Sequence, residues 1–229
     1  MDCRIILIET STSLCSTALL EGERITARRL SDSPRVHASQ TAPFIQQMLA
    51  ERGLTVRDCN AVCLSMGPGS YTGLRVGSST AKGLCFGAGI PLLAVSTLDV
   101  LAAQAIEEGL PEGCKYIVPM IDARRMEVYT ATYSAAGERL TEIKPEIVES
   151  GAYASLLAEG PVLFIGDGVG KCEELLGGNN AFFREECPRA DAMKAPALRE
   201  MKAGAFRDTA YFEPFYLKEF VATVGKKLF

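Results

Sequence analysis

With 229 residues, 48% apolar and 23% charged, the chain is long enough for one large or two small globular domains. Its net charge of -4 argues against stand-alone nucleic-acid binding, which needs a concentrated basic surface, so any RNA contact is expected to need a partner's help. No window approaches ~18 uninterrupted apolar residues, and the run Ile5-Ile6-Leu7-Ile8 is too short for a secretory core, so a soluble, cytoplasmic protein is expected. Period-two, β-rich runs predict strands at 3–9, 14–20 and 23–30, followed by a helix at 36–52. A strand at 59–65, a helix at 70–88, a short strand at 91–95 and a helix from 97 complete the unit. The segment 107–113, rich in Glu, Gly and Pro, then breaks the chain.

After this link the plan restarts. Residues 115–122 repeat a strand ending in an acid, Asp122, as the first strand ends in Glu9; residues 126–133 repeat its hairpin partner. Gly137-Glu138-Arg139-Leu140 echoes Gly22-Glu23-Arg24-Ile25, and 162–168 echoes the strand before Gly67 and Gly69. Three strands, a helix, a strand and a helix, twice over, predict a duplicated α/β fold of the actin, sugar-kinase and Hsp70 type (ASKHA). Two unrelated α/β units with chance echoes are the other reading. The halves are set at 1–108 and 109–229. In the tail 210–229 the rings of Tyr211, Phe212, Phe215, Tyr216 and Phe220 need burial, so it is expected to pack back on the body or on a partner.

Chemistry is suggested first by the turn Gly67-Pro68-Gly69-Ser70, where a buried strand passes through glycines into a helix that Ser70 or Thr72 can cap. Such a turn either cradles an anion or is a structural corner. P-loop spacing fails, because Pro68 stands where the first glycine is needed and Leu74 follows Gly73 in place of lysine. Glu9 and Asp122 are the paired carboxylates that the duplicated fold would bring to a cleft from opposite sides, where acids organise magnesium or water around phosphates. Glu9, Thr10 and Asp122 are therefore the candidate cofactor contacts. Neither hairpin carries a glycine to close backbone amides on a phosphate, which argues against autonomous ATP hydrolysis. The single histidine, His37, excludes every two-histidine metal site, so no metal is expected. Eight cysteines without a C-x-x-C read as reduced core thiols, and Cys59 and Cys63 as packing residues of one strand.

On the helix after the turn, Gly73, Gly77, Ala81 and Cys85 recur every fourth position, a ridge that lets another helix or sheet come close. Phe44, Ile45, Met48 and Leu49 form an apolar stripe on the preceding helix. Both faces can serve the subunit's own sheet or a partner.

These segments resemble the TsaB family, the dimerisation subunits of the bacterial machinery that makes threonylcarbamoyladenosine on tRNA. The resemblance is carried by Ile8-Glu9-Thr10-Ser11 with Ser16-Thr17-Ala18-Leu19, and by His37 leading into Pro43-Phe44-Ile45. It continues through the glycine block 67–77 with Ala81-Lys82-Gly83-Leu84, Pro91 and Val95-Ser96-Thr97-Leu98. Asp122-Ala123-Arg124-Arg125 with Glu127-Val128-Tyr129, and Pro214-Phe215-Tyr216-Leu217, complete it; beyond Tyr133 the second half is otherwise diffuse. Glu9 stands where many members carry aspartate.

The resemblance implies a non-catalytic subunit. Its paralogue TsaD transfers the threonylcarbamoyl group to tRNAs reading A-starting codons, using a metal held partly by H-x-x-x-H; Thr97 and Leu101 stand at the matching positions here. The implied primary partner is TsaD, met through two helices in a four-helix interface. TsaE docks near the pair, TsaC supplies the threonylcarbamoyl-adenylate, and a homodimer forms when TsaD is absent. Transfer RNA is reached only through the complex, with no membrane involved. No cofactor is tightly bound by the chain alone, and ATP is possible only in the complex. The implied interface comprises His37, Gln40, Thr41, Phe44, Met48, Tyr71, Leu74, Arg75, Gly77, Ser78, Ala81, Lys82 and Cys85. A small ATP-dependent phosphotransferase of sugar-kinase type and a metallopeptidase are the competing functions.

Overall fold

The computed structural model describes residues 3–217. Strand β1 (Arg4–Glu9) lies at the centre of the first sheet because its run of Ile and Leu is apolar on both faces. It pairs antiparallel with β2 (Cys15–Glu21), which pairs with β3 (Arg24–Ser31), and parallel with β4 (Ala61–Ser65), which pairs with β5 (Leu92–Val95). The order is β3-β2-β1-β4-β5. Helix α1 (His37–Ala50) lays Thr41, Ile45, Met48 and Leu49 on one face of this sheet beside α2 (Tyr71–Ala88), which Ser70 caps and Gly89 ends at φ 70°. Helix α3 (Thr97–Glu108) follows, capped by Ser96.

The second sheet repeats the plan with β6 (Tyr116–Asp122), β7 (Glu127–Thr130), β8 (Tyr133–Ser134), β9 (Lys144–Ile147), β10 (Val162–Ile165) and β11 (Ala181–Arg184). Its order, β9-β7-β6-β10-β11, matches the first sheet strand for strand and in every direction of pairing. The duplicated ASKHA fold read from the sequence therefore holds. Pro119, in the middle of β6, lies where that edge of the strand changes partner from β8 to β7, so no ladder bond is lost to its missing N–H. The copies differ in detail. The third strand does not follow Gly137 directly, since 133–134 first pairs with β6 and β9 begins at Lys144. Helices α4 (Ala154–Glu159) and α5 (Glu173–Leu176) are short.

The sheets divide at the expected link, but the cores do not divide into 1–108 and 109–229. Leu98, Leu101, Ala102 and Ala105 of α3 pack on Ile117, Ile121, Leu163 and Ile165 of the second sheet. In return the 3-10 turn Ala190–Met193 and α6 (Lys194–Ala203) cover Ile5, Leu7, Leu20 and Val95 of the first. Each half thus closes the other's core. Residues 207–217 then cross the first half as a strap. Arg207 N–H donates to the Leu92 carbonyl (2.8 Å), Lys82 Nζ to the carbonyls of Ala210 (3.0 Å) and Phe212 (3.1 Å), and Phe215 N–H to that of Met66 (2.7 Å). Phe220, with the rest of 218–229, lies outside the described residues. Cys59 precedes β4 and faces the α1–α2 side, whereas Cys63 faces the α6 side, so they do not share a strand face; both are buried.

Candidate functional site

In each half a glycine turn lies against that half's first hairpin, at its tip in the first half and at the end of β6 in the second. A methyl group on Gly69 would overlap the Ser11 carbonyl oxygen, and one on Gly73 that of Thr10. Ser70 N–H donates to Ser11 O (2.6 Å), Thr10 Oγ1 donates to Gly73 O (2.9 Å), and Gly73 N–H reaches Ser70 Oγ (3.4 Å). In the second half Gly166 abuts the Met120 carbonyl, to which Gly168 N–H donates (3.0 Å). The glycines serve the close approach of two backbones. Of the two readings of the Gly67-Pro68-Gly69-Ser70 turn, the structural corner is the one this geometry supports, because the hairpin occupies the place an anion would take.

The cofactor candidates differ in burial and in partners. Glu9 is fully buried, and its Oε1 accepts Ser11 N–H (2.6 Å). Burial pushes its carboxyl up to about 7; hydrogen bonds from Ser11 and Ser65 oppose this, and the charge of Asp167 adds to it. Thr10 is buried and committed to Gly73. Asp122 is exposed, paired with Lys171, and accepts Arg124 N–H (3.0 Å). Lys171 Nζ also donates to Glu127 O (2.7 Å). The carboxylate that acts on Glu9 is Asp167, which accepts Asp122 N–H (3.0 Å) and is itself pushed up to about 6 by burial. Sequence reasoning passed over Asp167, although it sits inside the repeated glycine turn 166–168, and an acid within such an echo is the signal that could have found it. Arg124 (φ 69°) and Arg125 (φ 53°) form the tip of the second hairpin.

The expected partner face is split by burial. Thr41, Met48, Leu74, Gly77, Ala81 and Cys85 belong to the chain's own interior. Thr41 Oγ1 donates to His37 O (2.7 Å), and a methyl group on Gly77 would overlap Thr10 Oγ1. The ridge of small residues is therefore internal, seating α2 on the first hairpin; these six cannot touch a partner while the fold is intact. Ser78 is also largely covered, at 8% exposure. His37, Gln40, Phe44, Tyr71, Arg75 and Lys82 remain at least partly accessible. Of these, Tyr71 packs at a tilt on Tyr216 of the strap, ring centres 4.8 Å apart, and the Arg75 guanidinium lies 5.1 Å from the Tyr71 ring centre. The sequence reading missed Phe86, on α2, which is 88% exposed beside Gly83 and Gly87, where an added methyl group would meet nothing within 4 Å. Where TsaD's histidines would stand, Thr97 is buried with Oγ1 3.4 Å from Ser65 Oγ, and Leu101 is core. Among the described residues no three His, Cys, Asp or Glu side chains gather as a metal-holding group.

The family model described as TsaD, tRNA N6-adenosine threonylcarbamoyltransferase, matches residues 31–185. The tRNA threonylcarbamoyladenosine biosynthesis protein TsaB of Escherichia coli (strain K12) is 31% identical over 229 residues, covering 96% of each chain. The chain belongs to the TsaB family. The TsaB protein of Bacillus subtilis (strain 168) is 33% identical over 166 residues, 71% of this chain and 70% of that one. Two solved structures from Pseudomonas aeruginosa, one of YeaZ and one of an uncharacterized protein with similarity to peptidase YEAZ, have TM-scores of 0.80 and 0.83. They are 28% and 29% identical, and each match covers 94% of this chain and 100% of theirs. This TsaB-family chain has, among its described residues, no helix long and apolar enough to cross a membrane.

Proposed function

We propose that this TsaB-family chain is a non-catalytic, cytoplasmic subunit that binds TsaD through α1 and α2 and supports threonylcarbamoyladenosine formation on tRNAs reading A-starting codons. The observation that carries the reading is the pair Thr97 and Leu101. A chain that matches the TsaD model has, in place of the implied metal-holding imidazoles, a buried hydroxyl and a core leucine. The solvent side of α1 and α2, with Phe44, Arg75 and Phe86, is the surface offered to TsaD. TsaE docks beside the pair, ATP enters only in the complex, and tRNA is reached only through it. Without TsaD the same face pairs two copies of this chain.

Co-expression with TsaD followed by sizing and tRNA modification assays tests this. The expected result is co-elution, with no ATP hydrolysis or transfer by the purified chain alone, and loss of co-elution in Phe86→Glu. Phe86 is solvent-facing, so that variant should fold normally. Transfer by the chain alone would overturn the reading, and so would undiminished co-elution of Phe86→Glu together with Arg75→Glu. Tight magnesium-ATP binding by the isolated chain, lost in Asp122→Ala, would favour the phosphotransferase instead.

A further inference from the structure

The C-terminal strap forms a third ridge beside α1 and α2. Across the strand order β3-β2-β1-β4-β5, α1 lies over β2 and β3, α2 lies over β4, and the strap leaves from the edge strand β5, where Arg207 pairs with Leu92. Phe212 packs on the cluster that holds Ile45, Met48 and Cys85, so the strap is on the α1–α2 side of the sheet. It runs antiparallel to α2: the carbonyls of Ala210 and Phe212 meet Lys82 Nζ in the second half of the helix, and the Tyr216 ring meets Tyr71 in its first turn. The lengths agree, since α2 rises about 16 Å from Tyr71 to Lys82 and four to six extended residues span about 13–20 Å. Main-chain groups hold the strap there, through Arg207 N–H on Leu92, the two carbonyls on Lys82 and Phe215 N–H on Met66, while Tyr211, Phe215 and Tyr216 stay exposed. Tyr211 is 85% exposed, and Phe86, one turn beyond Lys82 on α2, is 88%; they are the two most exposed large apolar side chains among the described residues.

We propose that the strap is the third element of the TsaD-docking face, with Phe86 and Tyr211 as its apolar centre on either side of Lys82. The inference rests on the binding of TsaD to α1 and α2. A segment that folded back only for its own burial would turn its rings inward, whereas exposed tyrosine, phenylalanine and arginine are what the centre of a protein interface is made of. Because α1 and the strap flank α2 on opposite sides, a partner that grips both helices from solvent meets the strap in the same contact. Charge favours a protein there over a nucleic acid: the exposed Arg75 guanidinium over Tyr71 suits a carboxylate, while Asp208 and Glu213 of the strap repel a phosphate backbone. Lys82 is a positioning residue, since one ammonium holds the carbonyls on both sides of Tyr211 and so fixes where that ring stands.

The test measures the affinity of the full chain for purified TsaD by calorimetry, with sizing of each variant alone. Tyr211→Ser is expected to weaken binding by about tenfold or more, and Lys82→Met, which frees the strap, by a similar factor. In Lys82→Met the Phe215 N–H should also exchange with solvent faster than in the wild type. Tyr211 is solvent-facing, so Tyr211→Ser keeps the fold and decides the matter if Lys82→Met does not fold. Full affinity in Tyr211→Ser plus Tyr216→Ser, with affinity lost in Phe86→Glu, overturns the strap's role and leaves TsaD on α1 and α2 alone. Full affinity in all of these variants, or no binding by the wild type, overturns the strap's role and the α1–α2 face together. Tighter binding by Lys82→Met also overturns the proposal, since the strap would then cover the surface TsaD needs. So does self-association lost in Tyr211→Ser with TsaD affinity kept, which would make a second copy of the chain the occupant.

Discussion

Glu9 shows how one side chain can set the pH dependence of a fold. Its carboxyl lies at about 7 in the native chain against an ordinary value of 4.5, mainly because burial disfavours the anion. A raised acid binds its proton more tightly folded than unfolded, so the native state is favoured most below pH 4.5 and loses ground as pH rises toward 7. Asp167, raised from 3.8 to about 6, acts with the same sign in a lower window. In chelated, metal-free buffer, urea unfolding should therefore show stability falling between about pH 4 and 7, by on the order of 3 kcal/mol from Glu9. Glu9→Gln should flatten the upper part of that decline; an unchanged slope in the variant would assign it to other groups. Thiols follow the same logic of burial. The thiols of Cys59 and Cys85 are both pushed up to about 11, and Cys63 is raised further still. Native alkylation followed by mass spectrometry should mark the half-exposed Cys3, Cys114 and Cys187 first and leave Cys59, Cys63 and Cys85 intact until unfolding.

Helix α2 turns the question of what its glycines are for into an internal control. Gly73 and Gly77 face Thr10, whose backbone and side chain cannot move without shifting β1, whereas Gly83 has nothing within 4 Å on its open side. Gly77→Ala and Gly73→Ala should each lower stability by roughly 1–3 kcal/mol through overpacking. Gly83→Ala should raise it by about 1 kcal/mol through helix propensity alone. Thermal denaturation of the three variants checks the signs, and stabilisation by Gly77→Ala would mean the ridge is not packed on the hairpin. The existence of α1 and α2 was legible from their apolar period, and the bounds of α2 also from its marked ends, Ser70 and Gly89. The object against which the small-residue ridge packs was not legible. Spacing locates a face but not what covers it, and the answer came from Thr10, 63 residues away in sequence from Gly73. The same limit hid Asp167, whose charge acts on Glu9 from the other half.

At the scale of the molecule, duplication was legible because strands ending in Glu9 and Asp122 announce the same topology twice. The exchange of helices was not. Residues 190–203 show an apolar face of Met193, Ala197, Leu198 and Met201, but spacing does not say which sheet that face covers, and Ala190 is fixed by its N–H reaching Ser16 Oγ across 174 residues (3.1 Å). That exchange makes the link at 109–113 a poor place to divide the protein. A fragment of residues 1–108 would keep its five strands but expose the face of Ile5, Leu7, Leu20, Cys63 and Val95 that Ala190, Met193 and Ala197 cover, and would leave α3 without the second sheet. Each of these apolar side chains returned to water costs about 1.5–3 kcal/mol, against a typical domain stability of about 5–15 kcal/mol. The fragment should therefore lack a cooperative thermal transition and dispersed amide resonances, and so should 114–229 alone. Mixed or co-expressed, the two should recover a single transition and co-elute, since each supplies the helix that closes the other's core. A cooperative transition in isolated 1–108 would show instead that the first sheet is stable with one face uncovered, and that α6 is an accessory rather than part of its core.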